Sequence, residues 1–132
     1  MRNKRLILSV LSINAVFSAA SALLMFAAGG WLAQQLGIDS AVPVYVVAGF
    51  LAVFALQLGN IVRIRRIRTW EIAGIISGDI AWVIASHVLA GLYYRSISAT
   101  GLMFIDIVAV AVLFFAIQQI RGLRAYRRTA GR

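Results

Sequence analysis

Ionisable side chains that lie inside apolar stretches are the first candidates for chemistry in this sequence. Asp79 lies within the apolar stretch 72–93, His87 follows eight residues later, and Asp106 lies near the start of the next apolar stretch. An ionisable group among apolar residues is costly to bury and marks a candidate functional site. One interpretation of Asp79 is therefore that it binds a proton or a cation, or faces a polar solute.

Amide side chains are predicted to lie at the level of Asp79. Asp79 and Asn14 each lie about nine residues from a basic segment, which is roughly 13 Å along a helix at 1.5 Å per residue. Gln57 and Gln118 lie about six residues from theirs and are somewhat shallower. The predicted polar layer, with an aromatic neighbour, comprises Asp79, Asn14, Gln57, Gln118 and Trp82. Further polar residues that could extend it towards the basic segments are Ser12, Asn60, Ser77 and Gln119.

The sequence allows two interpretations of Asp79. In one, its carboxyl group binds a ligand or an ion, and Asn14 opposite it avoids a pair of like charges. In the other, a protonated Asp79 is hydrogen-bonded to Asn14 and a serine, and it only holds helices together. Such interhelical hydrogen bonds contribute about 0.6–2 kcal/mol.

His87 and Asp106 form a second candidate pair. His87 is about six residues from the outer end of its apolar stretch, and Asp106 is about four residues inside the next one, so their depths match. A histidine beside a carboxylate is a recurring proton-relay element. The alternatives are a structural pair or a water-exposed mouth, with Arg95 as a competing partner for Asp106.

The elements that must position these residues follow from composition. The 132 residues are 62% hydrophobic and 13% charged, against about 45–50% and 25% in soluble domains. This excludes an ordinary soluble enzyme, a disordered chain and a disulfide-rich secreted domain. Four apolar segments are long enough to span a membrane, at about 6–28, 42–62, 72–93 and 102–123. We expect an all-α integral membrane protein, a four-transmembrane-helix bundle forming one domain over 1–132.

The basic residues predict the orientation of the bundle. Of thirteen lysines and arginines, only Arg95 lies outside the N-terminus, the segment 63–68 and the C-terminal segment 121–132. Basic residues concentrate on the cytoplasmic side of membrane proteins. We therefore predict a bacterial-type inner (plasma) membrane protein with both termini cytoplasmic. The net charge of +9 then indicates contact with anionic lipid headgroups, and no nucleic-acid partner is expected.

Residue matches between the two halves of the chain predict an internal duplication. An offset of 61 residues aligns Ala55-Leu56-Gln57 with Ala116-Ile117-Gln118, and an offset of 65 aligns Asn14 with Asp79. The predicted repeats, about 1–65 and 66–132, are helical hairpins that enter the membrane from the same side. Such parallel repeats are related by a pseudo-two-fold axis along the membrane normal.

Few kinds of chemistry remain for such a chain. It has no cysteine and one histidine, so we expect no metal site, no cofactor and no enzymatic activity. The leading hypothesis is transport or binding of a small solute or ion, in a proton-linked manner or not, through the layer around Asp79. The alternative is a non-catalytic accessory or assembly subunit of a larger membrane complex that contacts lipid or pigment. Four spans enclose little space, so a homo-oligomer or a partner membrane subunit is expected.

Overall fold

The computed structural model describes residues 2–130, and this part of the chain is built from α-helices and short connections. The helices are α1 (Arg2–Ala27), α2 (Gly29–Gln35), α3 (Val42–Ile64), α4 (Thr69–Tyr93) and α5 (Ala99–Ala130). Arg132, counted above with the basic C-terminal segment, lies outside the described residues. The prediction of an all-α chain is confirmed.

The four long helices, α1, α3, α4 and α5, are each long and apolar enough to cross a membrane. They contain the four predicted segments and extend beyond most of their ends, by up to seven residues at the end of α5, except that α1 ends at Ala27, one residue before its predicted end. Helix α5 has 32 residues, or about 48 Å, against a hydrocarbon layer of about 30 Å. Its arginine-rich last turns therefore extend beyond the length that a bilayer core can cover.

Local sequence explains where the helices begin and end. Pro43 occupies the first turn of α3, where its missing N–H costs nothing. Gly37 ends α2 with a φ of 68°, and the N–H groups of Gly37 and Ile38 return to the carbonyls of Gln34 and Ala33. This is the Schellman motif, whose left-handed residue favours glycine. Arg65, the residue that follows α3, also has a left-handed backbone conformation.

The helices pack as an open series rather than a closed ring. Helix α1 packs against both α3 and α5, and α4 packs against α5. Among the described residues, no Cα atom of α4 comes within 8 Å of one in α3 or α1. The bundle is therefore open between α3 and α4.

One end of the bundle is sealed by apolar side chains. This is the end at which α1 and α4 begin and α3 and α5 end, called the basic end here because the arginine segments lie there. Buried residues of all four long helices meet in what we call the basic-end core: Ile7, Leu11, Leu58, Ile61, Ile72, Ile75, Ile76 and Leu123. Because these side chains fill the space between the helices, the bundle is closed at this level.

The outer surface of the long helices is apolar. Large side chains such as Val16, Leu23, Leu56 and Leu92 are more than two-thirds exposed. Contiguous exposed apolar surface on this scale is costly in water and favourable in lipid. The structure is thus compatible with a multi-pass membrane protein.

Helix α2 is attached to the start of α5 at the end opposite the basic end. The Ser98 hydroxyl donates to Gln35 Oε1 at 2.7 Å, and the Ser98 N–H donates to the Gln35 carbonyl at 2.9 Å. Ser98 Oγ also accepts from the N–H of Gly101, which caps α5. A Cβ on Gly101 would meet the Gln35 carbonyl oxygen at 2.5 Å, so only glycine permits this approach.

Replacement of Gly101 tests the attachment of α2. Gly101→Ala forces the Gln35 backbone away, and we expect a loss of about 1–3 kcal/mol of stability. Gly30→Ala is the matched control, because a Cβ there meets nothing within 4 Å, and we expect it to change stability by less than about 1 kcal/mol. Thermal unfolding in detergent measures both. Equal melting temperatures for the two variants would contradict the close contact.

Cysteine labelling tests the orientation predicted from the arginines. The chain has no cysteine, so Ser40→Cys and Thr129→Cys each introduce a unique thiol. Both positions are exposed, Ser40 between α2 and α3 and Thr129 near the end of α5. We expect a membrane-impermeant maleimide to label Ser40→Cys in intact cells and Thr129→Cys only after lysis. The reverse pattern would contradict a cytoplasmic basic end.

Candidate functional site

Three polar side chains from three helices meet in the middle of the bundle. Asp79 of α4 is 5% exposed, Asn14 of α1 is 1% exposed and Gln119 of α5 is fully buried. Asn14 Nδ2 and Gln119 Nε2 both donate to Asp79 Oδ2, each at 3.2 Å. These side chains join α1 to α4 across a distance that their backbones do not bridge.

The helical register explains how Asn14 reaches Asp79. The buried residues of α1 recur every three or four positions, as Ile7, Leu11, Asn14, Ser18 and Ala22. This spacing forms one stripe along the helix, so Asn14 points where the apolar residues before it point. Both Asn14 and Asp79 lie near the midpoints of their helices.

The hydrogen bonds of this cluster all lead towards Asp79, which is the final acceptor. The Ser18 hydroxyl donates to Asn14 Oδ1 at 3.2 Å, and Asn14 in turn donates to Asp79 Oδ2. Asp79 Oδ1 receives no hydrogen bond from a described residue, because both donors use Oδ2. Gln119 Oε1 is buried without a partner in the described part of the chain. Two acceptor atoms are thus left without donors.

A cavity of about 360 Å³ begins at this cluster. Asp79, Asn14 and Ser18 line it together with side chains of all four long helices. Most of its wall is apolar, and the aromatic residues that line it are Phe17, Phe50, Phe54 and Trp82. Its size lies within the range of about 300–1,000 Å³ that is common for small-molecule sites.

A second cavity of about 150 Å³ extends the first one away from the basic end. The two share wall residues, including Trp82 and Val108. Leu32 and Leu36, from α2 and the residue after it, line the far side of the second cavity. Since the basic-end core fills the opposite direction, the polar cluster lies at the inner end of this space.

The predicted layer around Asp79 assembles in part. Asn14 contacts Asp79 and Trp82 lines the cavity, whereas Gln57 is exposed on α3 and Gln118 is half-buried without a hydrogen bond to a described residue. The expectation that these two glutamines adjoin Asp79 is not met. The physical reason is rotation: each residue turns a helix by about 100°, so equal depth does not give equal direction.

Gln119 takes the place expected for Gln118. It lies in the stripe of buried positions on α5, which includes Ala109, Val112, Ala116 and Leu123. The spacing of three and four residues is visible in the sequence and would have favoured Gln119 over Gln118. Ser18 was not among the predicted site residues, although it follows Asn14 by four positions in the buried stripe of α1.

His87 and Asp106 come together away from the cavity. His87 Nε2 lies 3.8 Å from Asp106 Oδ1, and their side chains are 55% and 68% exposed. His87 Nδ1 donates to the Val83 carbonyl at 2.9 Å, which directs Nε2 towards Asp106. Arg95, the expected competitor, donates instead to the Tyr94 hydroxyl. The pair lies on the outer surface of α4 and α5 and lines neither cavity.

Metal binding has no support in the part of the chain described, which holds no group of three His, Cys, Asp or Glu side chains suited to a metal ion. No family model matches the chain, and no curated protein or solved structure is significantly similar to it.

Adjacent glutamines on α5 provide a matched test of the cluster. Gln119→Ala removes a donor from Asp79 and leaves a buried gap, and we expect a loss of about 0.6–2 kcal/mol or more. Gln118→Ala removes the same side chain one position away, and we expect a change below about 0.5 kcal/mol. Unfolding titrations in mixed micelles measure both variants. Equal losses would show that the Gln119–Asp79 bond does not stabilise the bundle.

Proposed function

We propose that this chain is a small multi-pass membrane protein that binds a small solute at Asp79 and transports it. One observation carries this proposal: a mid-helix carboxyl group lines a cavity, and one of its oxygens accepts no hydrogen bond from the described residues. A carboxyl group that served only to hold helices together would be packed by protein on all sides. The cavity beside Asp79 favours the binding interpretation over the purely structural one.

A carrier fits the geometry better than an open channel. The cavity extends from Asp79 towards α2, while the basic-end core fills the space between the helices on the other side. In alternating access the binding site is closed towards one membrane face at a time, as Asp79 is closed towards the basic end. With the basic end placed in the cytoplasm of a bacterial-type inner membrane, the cavity faces the outer half of the bilayer.

The proposed duplication gives the carrier a structural basis. Asn14 and Asp79, which occupy equivalent positions in the two repeats, are hydrogen-bonded to each other, as residues beside a pseudo-two-fold axis would be. Phe17 and Trp82, also equivalent at the offset of 65, both line the cavity. In the proposed repeats α1 corresponds to α4 and α3 corresponds to α5. The contact between α1 and α5 would therefore correspond to one between α4 and α3, where the bundle is open instead. The two repeats thus pack differently against each other.

A non-catalytic accessory or assembly subunit of a larger membrane complex is the second candidate. The observation that favours it is the exposed His87–Asp106 pair, because polar groups facing lipid are costly and a partner helix would cover them. Purification of a defined larger complex from native membranes, without any Asp79-dependent ligand, would favour this candidate over a carrier.

A thermal-shift panel tests the binding function. The probes are tetramethylammonium, acetate, tert-butanol, sodium and potassium, so that organic cations, anions, neutral molecules and inorganic cations are each represented. At ten times its dissociation constant a ligand adds about 1.4 kcal/mol, and we expect at least one probe to raise the Tm of the wild type by roughly 3–6 °C. We expect Asp79→Asn to lose this shift.

Asp39→Asn is the control for this panel. It makes the same chemical change at an exposed position outside the helices, and we expect its shifts to equal those of the wild type. If no probe shifts the wild type, or if Asp79→Asn responds as the wild type does, Asp79 is not a binding group for these classes.

A further inference from the structure

We propose that the solute is a monovalent lipophilic organic cation, which reaches Asp79 from the bilayer through the opening between α3 and α4. This inference rests on the proposed binding function and names the class of ligand.

The charge of the cavity favours a cation. Asp79 is the one ionisable residue that lines it, and no Lys, Arg or His side chain contributes to its described wall. An ionised carboxylate in a medium of low dielectric constant needs an opposite charge close by. A proton or a cationic ligand supplies that charge, whereas an anionic or neutral ligand leaves the carboxylate uncompensated. A single carboxyl group matches a single positive charge.

The hydrogen bonds around Asp79 point to the same polarity. The side-chain amides of Asn14 and Gln119 both donate to Asp79 Oδ2, and the Ser18 hydroxyl donates to Asn14 Oδ1. What remains towards the cavity is an acceptor, because Asp79 lines the cavity and its Oδ1 receives no hydrogen bond from a described residue. An unpaired carboxylate oxygen attracts a positive charge, whether or not the cation carries N–H donors.

The wall of the cavity favours an organic ion over an inorganic one. A hydrated inorganic cation that loses its water needs several oxygen ligands, and this wall is mostly apolar. Phe17, Phe50, Phe54 and Trp82 present aromatic rings, which attract organic cations through their π-faces. A volume of about 360 Å³ accepts a molecule of drug-like size.

The opening of the cavity lies on the side of the bundle. Phe50 of α3 lines the cavity and is also 74% exposed, so this part of the wall reaches the outer surface. Across the gap, Gly78 of α4 lines the cavity, is exposed, and would have nothing within 4 Å of an added Cβ. In a bilayer this side faces hydrocarbon, so the ligand must partition into lipid.

Two ions of matched size and opposite charge test the inference. Radiolabelled tetraphenylphosphonium and tetraphenylborate are titrated against the purified full chain in lipid nanodiscs. We expect saturable binding of the cation, weakened at least tenfold by Asp79→Asn and less than twofold by Asp39→Asn. For tetraphenylborate we expect no component that depends on Asp79. Cation binding that is equal in wild type and Asp79→Asn would overturn the inference.

Two glycines of α4 provide a second arm that leaves the carboxyl group intact. Gly78→Leu places a side chain in the empty opening, and we expect it to weaken cation binding at least tenfold. Gly74→Leu is the matched control, since it lies one turn away on the same helix, also has nothing within 4 Å, and lines none of the cavities described. Equal binding by the two variants would overturn entry between α3 and α4.

The outcomes separate this inference from the binding function itself. If a neutral or anionic probe stabilises the wild type through Asp79 and tetraphenylphosphonium does not bind, the ligand class is wrong and the binding function stands. If no probe of any class shows Asp79-dependent binding, both are wrong. Circular dichroism and melting temperatures of every variant establish that a loss of binding is not a loss of fold.

Discussion

The hydrogen bonds to Asp79 Oδ2 are the interaction on which the middle of this bundle depends. The Cα atoms of α1 and α4 stay more than 8 Å apart, so only side chains connect them across the centre. Asn14 and Gln119 bring α1 and α5 to the same carboxylate oxygen. Because apolar side chains gain little by leaving lipid for a protein interior, polar contacts and close packing hold membrane helices together. The cluster therefore serves the fold as well as the site.

The cavity exists because the four long helices do not close into a ring. The backbone of α1 lies close to those of α3 and α5, whereas Cα atoms of α4 come within 8 Å of those of α5 alone among the long helices of the described chain. The basic-end core brings all four helices together at one level. Beyond that level the space between α3 and α4 stays open, and Phe50 and Gly78 line its two sides. The missing contact between α3 and α4 thus accounts for both the volume of the cavity and its opening on the side of the bundle.

Helix α2 covers the space between the long helices at the end opposite the basic end. Leu32 and Leu36 line the far side of the second cavity. The Ser98–Gln35 hydrogen bond attaches α2 to α5. The close approach of Gly101 to the Gln35 carbonyl leaves no room for a side chain. The bundle is therefore closed by apolar packing at the basic end and covered by a short attached helix at the other. The polar cluster lies between them.

By itself the sequence determined the number of long helices, their approximate limits, and the depth of Asn14 and Asp79, because apolar length and the helical rise set these quantities. Tertiary structure decided which polar residues share a direction. Gln119 rather than Gln118 reaches Asp79, and Gln57 turns outward, because a shift of one residue rotates a side chain by about 100°. Only the tertiary structure places a cavity beside Asp79. The cavity forms where helices that are distant in sequence do not pack together, and a local pattern of residues does not indicate which helices stay apart.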